Sequence, residues 1–365
     1  MKKIWYKALG VLVLACLIGT VAKTPSKFSD TENRVLNHKI IMDRYSFFDG
    51  SFANSVEKYI NDQFFCRQNF LDFFMQVEQL TGKRLGNDVF LGEDGYLLQR
   101  YNNAKPEQID GFVELMETFG EKLNMDKAFM MLAPTSCDIM YDKLPRYAPV
   151  GDQRRLSNEL ENRLGAVKYV DVYDILSATG KNENYFRTDH HWTGKGAYKA
   201  ANAFLNSVKI TGLPLSEFAE VKEKSFVGSL GSRSGFVSIE PEEFSYYLPP
   251  DNKSITVNYH GDSELTGMYD TSKDKDKYAK YFGGNYARVD ITNPNSSTDN
   301  TLLLIKDSYG NSMVPFLTPH YKNIIMLDSR YTLGGLESYL PEEFDHCLIV
   351  YNAISFQEKD WTKGW

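Results

Sequence analysis

The sequence predicts an α/β protein whose core is a parallel sheet flanked by helices. Short, continuously apolar segments alternate along the chain with longer segments whose apolar residues have helical spacing. Several apolar segments end in polar residues, which suits the carboxyl edge of a parallel sheet, where open α/β sheets bind their ligands. A third observation qualifies the pattern: residues 210–300 are rich in Gly, Ser, Tyr and Asp and predict a β-rich insertion.

The parallel sheet rests on five segments of strand length. Each is apolar almost throughout, as expected for strands buried on both faces. Helical segments between most of them predict right-handed crossover connections. The predicted strands are residues 128–133, 168–172, 302–305, 324–327 and 347–351.

Helical spacing of apolar residues appears both between these strands and before them. Residues 153–164, 196–208, 312–317 and 333–340 predict the helices of the sheet domain. Upstream, apolar and aromatic residues recur from Phe52 to Val77 and predict one long amphipathic helix ending near Gly82. We expect its aromatic stripe to lie in the core.

The insertion at residues 210–300 contains alternating segments, 254–259 and 287–291, that predict antiparallel strands. Two interpretations stay open. The insertion can shape a substrate groove, because loops near strand ends often carry specificity, or it can be a stabilising β excursion. The run GSLGSRSG at 228–235 does not open a helix after a strand as a phosphate-binding loop does, and we interpret it as a flexible loop on the substrate side.

The first 25 residues predict export. Lys2, Lys3 and Lys7 precede an apolar stretch, residues 8–22, that is short for a span of about 20 residues. A cleaved signal peptide, an uncleaved membrane anchor and a lipoprotein site at Cys16 all stay open. In each case the body is extracytoplasmic, secreted or anchored to the cell membrane. We predict that residues 26–90 form an amino-terminal linker with the amphipathic helix, and that residues 91–365 form the domain that contains the sheet and the β-rich insertion.

Charge and cysteine content exclude two classes of protein. A net charge of -7 and a pI near 5.5 argue against a nucleic-acid partner, which requires a basic surface. The four cysteines, at positions 16, 66, 137 and 347, have neither disulfide-framework nor zinc-site spacing.

Two distant segments contain the residue types of a serine acyl-transfer site. Ser308 follows the predicted strand 302–305, and Asp189, His190 and His191 adjoin one another upstream. A serine hydroxyl needs a base within hydrogen-bond reach and a third group that fixes the base. The residues alone do not choose between the two histidines, because neighbouring side chains of an extended segment point in opposite directions. A metal site and a purely structural cluster are alternatives; with six histidines and no HxH or HExxH spacing, we predict no metal.

Four further residues are candidates for substrate or oxyanion binding. The backbone N–H groups of Ser308 and Tyr309 are natural oxyanion donors, and the amide of Asn285, after a Gly pair, can add another or belong to a plain turn. Arg330 follows a predicted strand and can bind an anionic or sugar group or form an ion pair. Trp192 is predicted to be a wall residue that excludes water.

The string TDHHWTGKGAY at 188–198 resembles the signature of the DHHW protein family, which is similar to polysaccharide O-acetyltransferases of the alginate-acetylation type. The resemblance implies an SGNH-hydrolase-like domain with a circularly permuted motif order, in which an Asp-x-His element precedes the serine. Further similarity lies in FSDTENRVL at 28–36, NDQFFCR at 61–67, LGEDGYLL at 91–98 and KDSYGNS at 306–312.

Carried over residue by residue, the resemblance implies that Ser308 is the nucleophile, His191 the base and Asp189 the group that orients the base. It assigns no role to His190. It implies an extracytoplasmic serine O-acetyltransferase that acetylates polysaccharide hydroxyls through an acetyl-serine. No cofactor is expected, and the implied acetyl donor is a membrane-bound O-acyltransferase. Two alternatives stay open: a carbohydrate esterase with the same residues, and a non-catalytic polysaccharide-binding scaffold, suggested by the 23 tyrosines.

Overall fold

A computed structural model describes residues 2–29, 34–122, 127–165, 167–259, 264–272 and 276–363. Residues 30–33 of the FSDTENRVL segment lie outside this description. The chain forms two compact units. One consists of Met1–Asn87 with Gly231–Ile239, and the other of Asp88–Leu230 with Glu240–Trp365. The predicted boundaries after residues 25 and 90 stay predictions.

Helices and short strands alternate along the described chain. The strands are β1 (Phe28–Ser29), β2 (Arg34–Val35), β3 (Leu85–Gly86), β4 (Val89–Leu91), β5 (Leu97–Gln99), β6 (Ala128–Ala133), β7 (Lys168–Tyr169), β8 (Ala219–Phe226), β9 (Glu242–Leu248), β10 (Thr256–Asn258), β11 (Glu264–Thr266), β12 (Arg288–Thr292), β13 (Thr301–Lys306), β14 (Asn323–Leu327) and β15 (His346–Asn352). The helices are α1 (Lys2–Ala22), α2 (Ser46–Asp49), α3 (Ser51–Gln63), α4 (Arg67–Leu80), α5 (Pro106–Lys122), α6 (Ser136–Ile139), α7 (Gln153–Arg163), α8 (Tyr173–Ser177), α9 (Gly194–Ser207), α10 (Ser229–Ser234), α11 (Ser308–Asn311), α12 (Val314–Leu317) and α13 (Ser355–Glu358).

The larger unit is built on a mixed sheet with the order β11-β10-β12-β14-β13-β15-β6-β7. The five strands from β14 to β7 run parallel, whereas β12, β10 and β11 are added antiparallel at one edge. This confirms the predicted α/β class with a mostly parallel central sheet and helices. The SGNH-like relationship, the permutation and the reading of residues 210–300 as an insertion stay predictions.

The central strands are buried on both faces, which explains their continuous apolar runs. On one face, Met130, Ile305 and Ile349 pack into a core shared with α5 and α7. Because side chains alternate along a strand, Phe129 points to the opposite face, where its ring contacts Phe204 of α9 at 5.6 Å between centroids.

The predicted strands are found, but some helices differ from the prediction. The strand predicted at 168–172 is only Lys168–Tyr169, and the helix predicted at 333–340 is a single 3-10 turn, Leu336–Tyr339. The helix predicted at 312–317 is the shorter α12, Val314–Leu317. A separate helix that was not predicted, α11, begins at Ser308, where the Asp307 carboxylate caps its first turn. The run GSLGSRSG contains the helix α10, so its interpretation as a flexible loop is wrong.

In the smaller unit, the predicted long helix is two helices, α3 and α4. Cys66 has a left-handed conformation, with φ 55°, and this breaks the helix. The Phe65 N–H donates to Thr20 Oγ1 of α1 at 2.9 Å, so a distant residue stabilises the break. The aromatic stripe on α4 is exposed, Phe73 by 66 %, so its prediction as core is wrong. Among the residues that the structure describes, no helix is long and apolar enough to cross a membrane.

Two of the segments that resemble the DHHW signature are joined in this unit. The carboxylate of Asp62 is almost fully buried and accepts hydrogen bonds from the guanidinium of Arg34 and from the backbone and side-chain N–H groups of Asn37. The next residue, Gln63, bonds to the backbone of Ser26 in both directions. The extended segment is therefore fixed to α3 by its polar residues.

We expect Asp62 to stabilise this unit in a pH-dependent way. The Arg34 bond outweighs burial and holds the pKa of Asp62 below its usual range. The stabilisation is therefore present above the pKa of the unfolded carboxyl, about 3.9, and is lost as the pH falls through the lower folded value. At pH 7, Asp62→Ala should lower the free energy of unfolding by about 2 kcal/mol, because several donors lose a charged acceptor. Urea unfolding of both proteins at pH 7 and pH 3 measures this; an equal difference at both pH values would contradict it.

Candidate functional site

Ser308 lies where the direction of the sheet connections changes. The chain passes from β13 to β14 on one side and then returns to β15 on the other side of β13. The carboxyl end of β13 therefore opens into a crevice of the kind that open α/β sheets use for ligands. Ser308 lies two residues beyond this end, after Asp307, as the first residue of α11.

The turn that carries Ser308 is held by the carboxylate of Asp307. One oxygen accepts the N–H of Tyr309 at 2.9 Å, and the other accepts the backbone and side-chain N–H groups of Asn352 at 2.7 and 2.6 Å. Because Asn352 ends β15, this buried carboxylate fixes the turn to the neighbouring strand as well as capping its helix. The position of the serine is thus set by two strands.

Three side chains form an unbroken chain of hydrogen bonds at this point. Asp189 Oδ1 lies 2.6 Å from His191 Nδ1, and His191 Nε2 lies 2.8 Å from Ser308 Oγ. The ionised carboxylate can only accept, so Nδ1 carries the proton and Nε2 is left to accept the proton of the serine hydroxyl. All three residues are buried or nearly so. The arrangement has the geometry that activates a serine for acyl transfer.

The Asp189 carboxylate is fixed from both sides. Its Oδ1 also accepts the N–H of His191 at 2.9 Å, and its Oδ2 accepts the N–H of Ser229 at 2.8 Å. Burial alone would raise the pKa of Asp189, but His191, His190 and these N–H donors outweigh it and hold the pKa below its usual range. Gly228 approaches so closely that a Cβ there would lie 2.3 Å from the Asp189 Cβ. Only glycine fits at that position.

A second carboxylate supports the same segment from β9. Glu242 accepts the backbone N–H groups of Arg187 and Thr188 at 2.9 and 2.7 Å and the Thr188 hydroxyl at 2.6 Å. The Thr188 hydroxyl oxygen in turn accepts the N–H of Gly228. Burial raises the pKa of Glu242 despite these donors. The start of the TDHHW segment is therefore fixed to the β8–β9 hairpin.

Aromatic rings enclose the base. The ring of Tyr278 stacks on His191 with 3.6 Å between centroids and 3° between planes, and its hydroxyl donates to the Ser308 carbonyl at 2.9 Å. Trp192 is completely buried and its indole N–H contacts Ser312 Oγ at 2.8 Å and the Tyr309 carbonyl at 3.2 Å. Both rings tie the histidine segment to the turn of Ser308.

His190 takes a different position from His191. Its ring lies 3.8 Å from that of His191, and its Nδ1 is 2.6 Å from Ser229 Oγ. The ligand atoms of Asp189, His190 and His191 lie within 4.8 Å of one another, which could suit a metal ion. Both ring nitrogens of His191 are already engaged, however, so an ion would displace Asp189 or Ser308. The absence of a metal stays a prediction.

The side-chain oxygen of Asn285 contacts residues on both sides of Ser308 in the sequence. That Oδ1 accepts from Lys306 Nζ at 3.4 Å and from Asn311 Nδ2 at 3.0 Å. Lys306 also pairs with Asp328 at 3.2 Å, and the Arg330 guanidinium forms a two-pronged contact with the same carboxylate. Arg330 is thus engaged in an ion pair, while its side chain stays 41 % exposed.

Tyr309 is buried, and its polar groups are occupied. Its N–H donates to Asp307 and its hydroxyl to the carbonyl of His190. The N–H of Ser308, by contrast, has no acceptor among the residues that the structure describes. Of the two backbone N–H groups predicted to bind an oxyanion, that of Tyr309 already donates to Asp307, and that of Ser308 is available.

Sequence reasoning missed Tyr278, Asp307, Glu242 and the Gly228–Ser229 pair. The role of Asp307 could have been predicted, because Asp is a preferred residue directly before the start of a helix, where it caps the first turn. Gly228 and Ser229 belonged to a run that was interpreted as a loop. Tyr278 and Glu242 had no local signal, because each reaches the site from an element more than 50 residues from Asp189.

Comparison with known proteins supports one family. The family model described as DHHW protein matches residues 75–327, more than half of the chain. No curated protein matches the sequence. A solved DHHW family protein from Eubacterium siraeum is 24% identical, with a TM-score of 0.65 over 75% of this chain and 94% of that one.

Two further solved structures are similar. PatB1 from Bacillus cereus, determined with a sulfonyl adduct, is 21% identical, with a TM-score of 0.61 over 75% of this chain and 99% of that one. The O-acetyltransferase domain of AlgJ from Pseudomonas putida is 14% identical, with a TM-score of 0.47 over 76% of this chain and 94% of that one. The Eubacterium protein and PatB1 share the fold, and the match of the family model confirms the predicted resemblance. The chain belongs to the DHHW protein family.

Proposed function

We propose that the protein is an extracytoplasmic serine O-acetyltransferase that acetylates hydroxyl groups of a cell-surface or secreted polysaccharide. The observation that carries the proposal is the hydrogen-bond chain from Asp189 through His191 to Ser308. This geometry supports acyl-transfer chemistry. The family resemblance supports a polysaccharide acceptor, and the amino-terminal sequence supports an extracytoplasmic location.

In the first half-reaction, Ser308 Oγ attacks the carbonyl carbon of a bound acetyl ester while His191 Nε2 takes the hydroxyl proton. The carbonyl oxygen becomes an oxyanion, and the resulting imidazolium is stabilised by Asp189. Collapse of the intermediate breaks the bond to the leaving oxygen, which receives the proton from His191. The product is acetyl-Ser308 and a free alcohol of the donor.

In the second half-reaction, a sugar hydroxyl takes the place of the leaving alcohol. His191 removes its proton as its oxygen attacks acetyl-Ser308, and the proton returns to Ser308 Oγ when the acetyl group leaves. The oxyanion of both steps is stabilised by the N–H of Ser308 and the amide of Asn285. In this proposal the acetyl group is supplied by a membrane-bound O-acyltransferase, so the protein itself needs no cofactor.

The same residues would serve a carbohydrate esterase, in which water is the second acceptor. The side chain of His190, which lies against the base, is 30 % exposed, so water reaches a direct neighbour of the base. Transfer and hydrolysis differ in acceptor affinity and water exclusion and not in the reacting side chains. An experiment that follows the fate of the acetyl group separates the two.

The test supplies the full-length protein with p-nitrophenyl acetate and a panel of neutral and anionic polysaccharides. We expect acetyl ester to appear on at least one glycan, at the expense of free acetate, and neither product to exceed background with Ser308→Ala. Free acetate alone, unaffected by every glycan, would favour the esterase. Glycan binding without any serine-dependent product would favour the non-catalytic scaffold.

A further inference from the structure

The most unusual charged group near the site is Lys306. Its side chain is only 2 % exposed, although it lies two residues before the proposed nucleophile. Burying an ammonium group is costly, and an apolar residue of similar volume is often neutral or better for stability. We therefore look for a role of Lys306 other than stabilising the fold.

The contacts of Lys306 direct its ammonium group to one place. Its aliphatic stem packs under α11, where a Cβ on Gly310 would lie 2.7 Å from the Lys306 Cβ. Its Nζ lies 3.2 Å from Asp328 Oδ2 and 3.4 Å from Asn285 Oδ1. Arg330 holds the Asp328 carboxylate in a fork, so the acceptor that directs the ammonium group is itself fixed.

This contact determines which way the Asn285 amide faces. A lysine can only donate, so the atom of Asn285 that faces Nζ must be the oxygen. Asn311, three residues after Ser308, donates to the same oxygen. The amide NH2 group is then left to face away from both donors. It has no acceptor among the described residues, and it is not one of the buried side-chain atoms without a partner. The NH2 group is therefore accessible from solvent.

We infer that Lys306 is a positioning residue: its buried ammonium group fixes the Asn285 amide so that the NH2 group donates to the carbonyl oxygen of the acyl group attacked by Ser308. The inference rests on the proposed acyl-transfer function and adds the group that prepares its oxyanion donor. Lys306 and Asn311 bracket the nucleophile in sequence, at positions 306 and 311. The amide is consequently held by the same turn that carries Ser308.

The test is a double-mutant cycle on ester turnover by the full-length protein. Asn285→Ala should lower kcat about 10²-fold with KM unchanged, because an oxyanion donor acts in the transition state. Lys306→Met should lower kcat at least about tenfold, and the double variant should be no slower than Asn285→Ala, because residues that act through one contact are not additive. Lys306→Gln, which keeps a donor, should recover part of the loss.

Lys127→Met is the matched control, since this half-buried lysine, at the amino end of β6, donates to the Phe344 carbonyl instead and should keep the wild-type kcat. Thermal unfolding of each variant excludes loss of fold, and Lys306→Gln replaces Lys306→Met in the cycle if the latter does not fold. Two results would overturn this inference while leaving the proposed function intact. One is a double variant whose loss in kcat equals the product of the two single losses; the other is a Lys306→Met protein that loses thermal stability but keeps the wild-type kcat. Wild-type turnover that does not depend on Ser308 would refute the proposed function and this inference together.

Discussion

Ser308→Ala is expected to abolish ester turnover by this protein. Without Oγ there is no nucleophile for His191 to activate, and loss of a triad member commonly costs 10³-fold or more in kcat, roughly 10⁶ at the extreme. Any remaining hydrolysis would come from the oxyanion donors and binding alone. The fold should be unaffected, because among the described residues the hydroxyl bonds to His191 Nε2 and to no group of the turn that carries it. Steady-state kinetics with p-nitrophenyl acetate, at matched thermal stability, gives the ratio.

The control for this variant is Ser207→Ala, at the far end of α9, where the hydroxyl donates to the carbonyl of Phe204 one turn earlier. It removes the same atom from an exposed serine and should leave kcat at the wild-type value. A Ser308→Ala protein with more than about a tenth of wild-type turnover would contradict nucleophilic catalysis by this residue, since that loss is about 1.4 kcal/mol in the barrier.

Asp189→Asn should have the second largest effect, a loss of about 10³ to 10⁴ in kcat. The substitution keeps the size and the burial of the side chain. An amide, however, can donate to His191 Nδ1 and so favour the tautomer whose Nε2 carries a proton and cannot accept one from Ser308. The imidazolium of the transition state also loses its counter-charge. The measurement is kcat for the variant, with thermal unfolding as a check on the fold.

Asp152→Asn serves as the matched control for Asp189→Asn. Asp152 is also an aspartate with a structural hydrogen bond, since it caps α7 by accepting the N–H of Arg155, but it lies outside the site. It should keep wild-type kcat. If Asp189→Asn lowered kcat no more than Asp152→Asn, Asp189 would be a structural residue and not the group that orients His191.

The strands of the parallel sheet could be predicted because burial on both faces leaves a local signal. Residues 128–133 are apolar throughout and correspond to β6 residue by residue. Segments governed by a distant partner could not be predicted in this way. The helix in the smaller unit breaks at Cys66, where neither Gly nor Pro marks the sequence. The Thr20 hydroxyl that accepts the N–H of Phe65, beside the break, is 45 residues from Phe65.

The site shows the same division. Ser308 at a strand end and the Asp-His segment could be identified from residue type and position, and the family resemblance selected His191. The structure places the His191 ring between Asp189 and Ser308, whereas His190 faces Ser229. The supporting contacts are long-range: Tyr278 stacks on the base and Glu242 holds the start of its segment. Neither contact leaves a periodic or compositional mark near residues 188–192.

The central claim is that Ser308 carries the acetyl group during the reaction. The measurement that tests it most directly is peptide mapping by mass spectrometry after brief incubation of the full-length protein with p-nitrophenyl acetate, and in parallel with an arylsulfonyl fluoride, which forms a stable adduct on activated serines. We predict one acetyl or sulfonyl group on the peptide that contains Ser308, and no such adduct on Ser308→Ala. An adduct that forms on another residue, or that forms equally on the Ser308→Ala protein, would contradict the account.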